Sequence, residues 1–223
     1  MKLSKYFVLG LWFASSLQLV HAATVTVPGD SIGGGQLSGS VFTIGFTGGS
    51  NGLNNFPSNE PPANAIDAIL NNKYLNFGGP NTGYIVTPAG GLSNVTSIAF
   101  STGDDAPERD PLSFSLYGSN TATASSTNGT TFDLSDFSPI TLNLSSGFGT
   151  DPGRNSQGPN INLANAANYT TYILVFPALR GPNTSIMQVG GAVLSGTFVP
   201  EPSGVIMLGA SAMGLLARRR RSV

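Results

Sequence analysis

The stretch of sequence that decides the fold is Leu112-Ser113-Phe114-Ser115-Leu116-Tyr117. Large apolar side chains alternate in it with small polar ones, and a period of two is typical of a strand with one buried face. Leu112, Phe114 and Leu116 are therefore expected to face the core, while the two serines face away from it.

Short runs of the same kind recur along the chain, separated by clusters of Gly, Pro, Asn and Ser. The chain contains 29 glycines and 15 prolines, and helical periodicity is nearly absent. Strands are predicted at residues 41–46, 83–86, 96–100, 112–117, 140–144, 172–176 and 187–198. A short helix is predicted at residues 63–70, after two prolines, and a mobile loop at the Ser/Thr/Ala-rich residues 121–130. About seven or eight strands without a repeat favour an all-β sandwich or jelly roll.

The N-terminus has the features of a secretory signal peptide. Lys2 and Lys5 precede the apolar stretch 6–19, and a small-residue cleavage pattern ends at Ala22. We predict a signal peptide at residues 1–22 that is removed after Ala22. The apolar stretch is too short to favour a permanent membrane span, and an uncleaved anchor is the alternative.

The C-terminus combines Pro200-Glu201-Pro202, an apolar run at 203–217 and four arginines, Arg218, Arg219, Arg220 and Arg221. The two prolines fix φ and lack a donor, so they predict a stiff, extended collar. The run predicts a short transmembrane helix of about 22 Å, against a hydrocarbon core of about 30 Å. The arginines are expected to hold the C-terminus in the cytoplasm. Small residues within the run would suit either a dimer face or docking onto a membrane enzyme.

Residues 199–223 resemble the PEP-CTERM sorting signal of Gram-negative bacteria. The resemblance implies an exosortase-type membrane protease as a partner and Pro200, Glu201 and Pro202 as the processing motif. It also implies an exported protein, held in the inner membrane with its C-terminus in the cytoplasm before processing and then moved to the cell surface or the extracellular space.

The body between the two targeting ends has a distinctive composition. From residue 23 to residue 199 it contains four basic residues against ten acidic ones, a net charge of −6. An acidic body repels phosphate backbones, so no nucleic-acid partner is expected. The same residues include no Cys, His or Trp. This composition excludes a thiol nucleophile, a His-assisted serine triad and a Cys/His zinc site in the body.

One loop concentrates charge and is the candidate ligand loop. Its charged residues are Asp104, Asp105, Glu108, Arg109 and Asp110. A hydrolase using two of these carboxylates is an alternative, but such chemistry needs acids on different elements that face a cleft. Four acids close together on one loop are more typical of a solvated or ion-binding turn. We therefore predict no catalytic residues.

A second resemblance covers residues 57–194. It is carried, in order, by Asn64-Ala65-Ile66-Asp67, Lys73-Tyr74-Leu75-Asn76-Phe77, residues 104–111, Leu116-Tyr117-Gly118-Ser119-Asn120 and Ser185-Ile186-Met187-Gln188. These segments are similar to parts of discoidin-like, galactose-binding-like jelly rolls, with residues 172–176 in the place of their late core strand. The resemblance implies a jelly-roll β-sandwich domain at residues 23–198.

The second resemblance also implies a structural calcium ion beneath the loop that follows the first helix. Asp67 matches the expected aspartate ligand, but Ile69 and Gly191 stand where the resemblance leads us to expect acidic residues. Calcium needs six to eight oxygen ligands, and these two residues supply no side-chain oxygen. The alternative role for Asp67 is that of a turn residue bonding nearby amides.

Carbohydrate sites usually pair an aromatic platform with polar groups. Without Trp in the body, the platform would be Tyr74, Phe77, Tyr84 or Tyr117, and each of these could equally pack in the core. The prediction is a membrane-tethered protein of the cell surface or extracellular matrix with a structural or adhesive role and, as a potential partner, an extracellular polysaccharide. The alternatives are a calcium-assisted carbohydrate-binding module and, second, a hydrolase using the acidic loop.

Overall fold

The computed structural model of the protein describes residues 23–49 and 54–199. The strands in this part of the chain are β1 Ala23–Thr24, β2 Ser31–Ser38, β3 Val41–Ile44, β4 Tyr74–Asn76, β5 Thr82–Thr87, β6 Ser93–Ser101, β7 Pro111–Ser119, β8 Thr131–Asp133, β9 Ser138–Ser145, β10 Gln157–Asn162, β11 Thr171–Leu179, β12 Met187–Val189 and β13 Gly191–Phe198. The helices there are 3₁₀ turns at Pro62–Ile66, Pro107–Arg109 and Leu134–Asp136. The predicted signal peptide and the segment from Pro200 onward lie outside the described residues.

Two antiparallel sheets form the body. The larger sheet has the order β8-β3-β2-β5-β11-β7-β9, the smaller one has the order β1-β13-β6-β10, and β4 pairs with β12 beside them. At the centre of the larger sheet, Leu174 of β11 lies opposite Tyr84 of β5 on one side and Leu116 of β7 on the other.

The main core lies between the two sheets. Phe100 of the smaller sheet meets Phe114 and Phe176 of the larger sheet edge to face, with ring centroids 5.0 and 5.9 Å apart. All three rings are fully buried. Two facing sheets with a shared aromatic core make a β-sandwich, which confirms the all-β prediction.

A second apolar cluster covers the outer face of the larger sheet. Phe42, Ile85 and Ile173 point to that face and pack against Phe137 and Ala124. The segment that supplies the cover includes residues 121–130, which were predicted to be a mobile loop. That prediction is wrong for Ala124, whose amide donates to Thr87 Oγ1 at 2.8 Å and whose side chain is buried.

The predicted strands are found with small changes of boundary. Residues 187–198 divide at Gly190 into β12 and β13, because the first part pairs with β4 and the second with β6. Strands β1, β2, β4, β8 and β10 were not predicted.

Two local predictions are wrong. Leu112 was expected in the core, but it is 38% exposed, because it lies beyond the register shift between Val175 and Ala178 on the neighbouring strand. The helix expected at 63–70 is the 3₁₀ turn Pro62–Ile66. It ends there because Ala68 adopts a positive φ of 61°, which a helix cannot contain.

The strand directions give the sandwich two distinct ends. At one end lie the connections 102–110, 146–156 and 180–186, which we call the charged end. At the other end β1 pairs with the last part of β13, and Val199 N donates to the carbonyl oxygen of Leu92. We call this the tether end, because the chain leaves the described sandwich there.

Candidate functional site

The charged end brings together the four basic residues of the body. They are Lys73, Arg109, Arg154 and Arg180, and each lies within 4 Å of a carboxylate oxygen. Three of the predicted acidic-loop residues, Asp104, Asp105 and Asp110, are their partners. The candidate loop is therefore held by ion pairs to other segments of the chain.

Lys73 is the central cation of the first group. Its side chain is only 7% exposed, and its Nζ lies 2.7 Å from both Asp104 Oδ1 and Asp105 Oδ1 and 3.5 Å from Glu60 Oε1. Burial by itself would lower the pKa of Lys73, but the hydrogen bonds to Asp104 and Asp105 outweigh it and raise the pKa. The hydrogen bond from Lys73 in turn lowers the pKa of Asp104. Lys73 is therefore a permanent cation that ties three loops together.

Asp110 is the buried centre of the second group. Its side chain is fully buried, and Arg154 binds it through two nitrogens, with Nη1 at 3.2 Å from Oδ1 and Nη2 at 2.7 Å from Oδ2. Arg154 also reaches Asp151 Oδ1 at 2.6 Å. Burial raises the pKa of Asp110 more than the guanidinium lowers it, whereas the same contact raises the pKa of Arg154. This two-point geometry fixes loop 146–156 against loop 102–110.

A side chain of strand β12 holds the backbone of the acidic loop through hydrogen bonds. Gln188 on β12 is fully buried, and its Nε2 donates to the carbonyl oxygens of Asp105 and Ala106. Ala106 has a φ of 40°, a left-handed conformation that is costly for a residue with a Cβ atom. The two hydrogen bonds and the ion pairs on either side keep the chain in this conformation.

Glu108 and Arg109 lie at the rim of an open groove of about 440 Å³. The opposite wall is formed by residues 181–186. Arg109 is only loosely engaged, with Nη1 3.9 Å from Asp105 Oδ2. Of the five charged residues predicted for the ligand loop, Glu108 and Arg109 line this groove, and neither has a charged partner as close as the 2.7 Å contacts of Asp104, Asp105 and Asp110.

Asp67 acts in the structure as a turn residue. Its Oδ1 accepts a hydrogen bond from Ile69 N at 2.8 Å, and its Oδ2 accepts one from Asn72 Nδ2 at 2.7 Å. No group of three or more His, Cys, Asp or Glu side chains in the described part of the chain could hold a metal ion. The two hydrogen bonds favour the alternative role of Asp67 as a turn residue, and calcium binding is a separate hypothesis that a melting experiment tests.

The proposed aromatic platforms are mostly core residues. Tyr74 and Tyr84 are fully buried, and burial raises the pKa of both phenols. Tyr74 donates to the carbonyl oxygen of Gly83 at 3.0 Å and accepts from Asn76 Nδ2 at 2.7 Å. Tyr117 packs against the outer apolar cluster. The packing interpretation is thus confirmed for all three tyrosines.

Sequence reasoning missed Lys73, Arg154 and Gln188 as parts of this end of the molecule. Lys73 lies 31 residues before Asp104, and Arg154 lies 44 residues after Asp110. A usable signal was present, since the body has only four cations and isolated cations in an acidic domain tend to be paired.

Residues 198–221 match the PEP-CTERM protein-sorting motif, which confirms that part of the sequence prediction. The match begins at Phe198, the last residue of β13. No helix in residues 23–49 or 54–199 has the length and apolar character to cross a membrane, and the predicted helix at 203–217 lies outside them.

Several solved structures are similar to this chain. The module CpGH89CBM32-5 of Clostridium perfringens, in complex with GalNAc-β-1,3-galactose, matches with a TM-score of 0.47 at 12% identity, over 77% of this chain and 99% of its own. The family 32 carbohydrate-binding module of C. perfringens NanJ, in complex with galactose, gives 0.45 at 9%, over 78% and 99%. A chitosan-binding module of a Paenibacillus sp. IK-5 chitosanase/glucanase gives 0.47 at 12%, over 79% and 100%. No curated protein sequence matches the chain.

Proposed function

We propose that this protein is exported and displayed at the cell surface, where it has a structural or adhesive role. The observation that carries the proposal is the sorting motif at 198–221, which follows the last strand of the sandwich without a linker. Before processing, the helix at 203–217 spans the inner membrane and Arg218–Arg221 stay in the cytoplasm. An exosortase-type protease then cuts near Pro200-Glu201-Pro202 and releases or transfers the sandwich.

The position of the chain end supports an outward orientation of the charged end. β13 runs from Gly191, opposite Ser101, to Phe198, opposite Ser93. Eight strand residues span about 26 Å. The sorting signal therefore begins a full strand length away from the charged end, and a tethered sandwich presents that end away from the membrane.

A non-catalytic role agrees with the state of the acidic loop. Asp104, Asp105 and Asp110 bind cations of the protein itself, so these carboxylates are engaged in holding loops together. A glycosidase-type pair needs one carboxyl as an acid and another as a base or nucleophile on either side of the scissile bond. Glu108 is the acid of this loop without a close cation, which leaves the hydrolase alternative with a single free carboxylate there.

The chain contains no cysteine, so surface display can be tested by site-specific labelling. Asn183→Cys places one thiol on an exposed residue of the charged end. On intact exporting cells, a membrane-impermeant maleimide should label this variant. The matched control carries the same cysteine together with Pro200→Ala and Pro202→Ala, and it should lose labelling because the sorting motif is broken. Equal labelling of both proteins, or labelling only after lysis, would overturn the proposal.

A further inference from the structure

Three loops meet around the point where the chain leaves the sandwich at its tether end. The first two are joined by Asp30, whose Oδ1 accepts a hydrogen bond from Ala89 N at 2.9 Å. The third is joined to them through Tyr169, which exchanges two backbone hydrogen bonds with Ser93. We call the surface formed by these loops and the chain exit the tether face; it consists of residues 27–30, 88–92, 165–170 and Val199.

The tether face carries almost no charge. Asp30 is the only charged residue in its sequence, and this residue is 5% exposed, with Oδ2 accepting a second hydrogen bond from Val27 N at 2.8 Å. The ion pairs of the charged end lie about 26 Å away, along the length of β13. Salt screens exposed charges within about 8 Å at physiological ionic strength, so these groups do not repel an anionic surface placed against the tether face.

The exposed part of the tether face suits a lipid surface. Val27 is 40% exposed, and Pro28, Ala89 and Ala167 are exposed on the same face. Small apolar side chains with backbone amides between them match the headgroup region, where apolar atoms and hydrogen-bonding groups are both accommodated.

The chain exit is fixed firmly to this face. Val199 N donates to the carbonyl oxygen of Leu92 at 2.8 Å. The ring of Phe198 covers Gly90 so closely that a Cβ atom on Gly90 would lie 2.3 Å from it. The last strand is therefore held by the sandwich up to the residue that precedes the sorting segment.

The length of the linker brings the tether face to the membrane. Residues 200–202 separate Val199 from the helix proposed at 203–217. Four residue steps, from Val199 to Ser203, span at most about 14 Å. This distance is shorter than β13 itself, so the tether face is the part of the sandwich that comes closest to the bilayer.

We propose that, before processing, the tether face rests on the lipid headgroups of the membrane that holds the sorting segment. This inference rests on the export and tethering proposed above. Val27 is the one exposed large apolar side chain of the face, so the contact is weak by itself and depends on the high local concentration that the tether provides. Cleavage near Pro200-Glu201-Pro202 removes the tether, and the sandwich then leaves the lipid surface.

The test uses the unprocessed protein, with its sorting segment intact, in vesicles of phosphatidylethanolamine and phosphatidylglycerol without a protease. The chain contains no cysteine, so Val27→Cys carries a single fluorophore on the tether face. A nitroxide on the lipid headgroups should quench about half of its emission or more, because the short linker holds this face near the membrane surface. The control Asn183→Cys carries the same fluorophore at the charged end and should keep its emission.

A second variant tests whether the lack of charge matters. Ala89→Glu and Ala167→Glu together add two carboxylates at exposed positions of the tether face, and the melting temperature should stay the same. Because anionic lipids repel these carboxylates, the quenching at Val27→Cys should fall about twofold or more. The matched control, Asn183→Glu, adds a carboxylate at the charged end and should leave that quenching unchanged.

The proposal is overturned if the fluorophore on the tether face keeps its emission, if the one at the charged end is quenched equally, or if the two glutamates leave the quenching unchanged. Quenching that develops only after an exosortase-type protease is added would assign the face to that protein and would also overturn the proposal. Failure here with successful surface labelling would reject the lipid contact and leave the display function intact.

Discussion

The most informative perturbation of the charged end is Arg154→Met, which keeps most of the side-chain length and removes the guanidinium. In the wild-type protein, Arg154 makes two hydrogen bonds to Asp110, a carboxylate with no exposed surface. The variant leaves that charge buried without its main partner. Breaking a buried ion pair from one side costs about 3–5 kcal/mol.

The expected cost lies near the lower end of that range. Arg154 is itself 23% exposed, and Arg180 provides a remaining cation near Asp110. We therefore expect a loss of about 3 kcal/mol in the free energy of unfolding. For a domain of this size that corresponds to a fall of about 6–12 °C in the melting temperature.

The pH dependence of the loss separates this mechanism from simple loss of packing. Burial raises the pKa of Asp110, so ionising this group costs stability as the pH rises through that pKa. Without Arg154 the pKa should rise further. The destabilisation of Arg154→Met should thus be largest at neutral pH and shrink as the pH falls towards about 4.

Thermal and urea unfolding between neutral and mildly acidic pH would measure both effects. The control is Arg109→Met, since the ion pair of Arg109 spans 3.9 Å to an exposed carboxylate. Its free energy of unfolding should change by less than about 0.5 kcal/mol. The reasoning is refuted if the two variants lose equal stability, or if the loss at Arg154 does not depend on pH.

Three further predictions concern single residues. Lys73→Met should lower the free energy of unfolding by about 1–2 kcal/mol at neutral pH, as measured by urea unfolding. Because Lys73 lowers the pKa of Asp104, this loss should shrink as the pH drops below about 4, and a loss that does not change with pH would contradict the ion-pair explanation. Melting in calcium and in chelator should give the same midpoint, since calcium would have to displace two hydrogen bonds from Asp67, whereas a higher midpoint in calcium would support the resemblance. Phe100→Ala, which removes a buried ring, should lower the free energy of unfolding by about 3–5 kcal/mol. Phe46→Ala, at an exposed ring, should lower it by less than about 0.5 kcal/mol, and similar losses in the two variants would contradict the assigned core.

Strands with alternating apolar residues could be predicted from the sequence, but β2 could not. Its residues include Gly33, Gly34 and Gly35, so it lacks the apolar alternation of a core strand. The structure shows why glycine is needed there: a Cβ atom on Gly34 would lie 2.5 Å from the hydroxyl of Tyr74. The close approach of a distant segment, rather than a local preference, selects these residues.

The acidic residues of the charged end could be predicted from the sequence, but their basic partners could not, for a related reason. The acidic loop is visible as a cluster in the sequence, but its state depends on which cations reach it. Lys73 and Arg154 come from other loops, and the fold alone brings them to Asp104 and Asp110.

The central claim is that the sandwich is sorted and processed at its tether end. Mass spectrometry of the mature protein from the exporting cell tests this most directly, because it reads the C-terminal residue. The account predicts a chain that ends close to Pro200-Glu201-Pro202 and lacks Arg218–Arg221. A mature protein that keeps all four arginines, with residues 1–22 still attached, would contradict it.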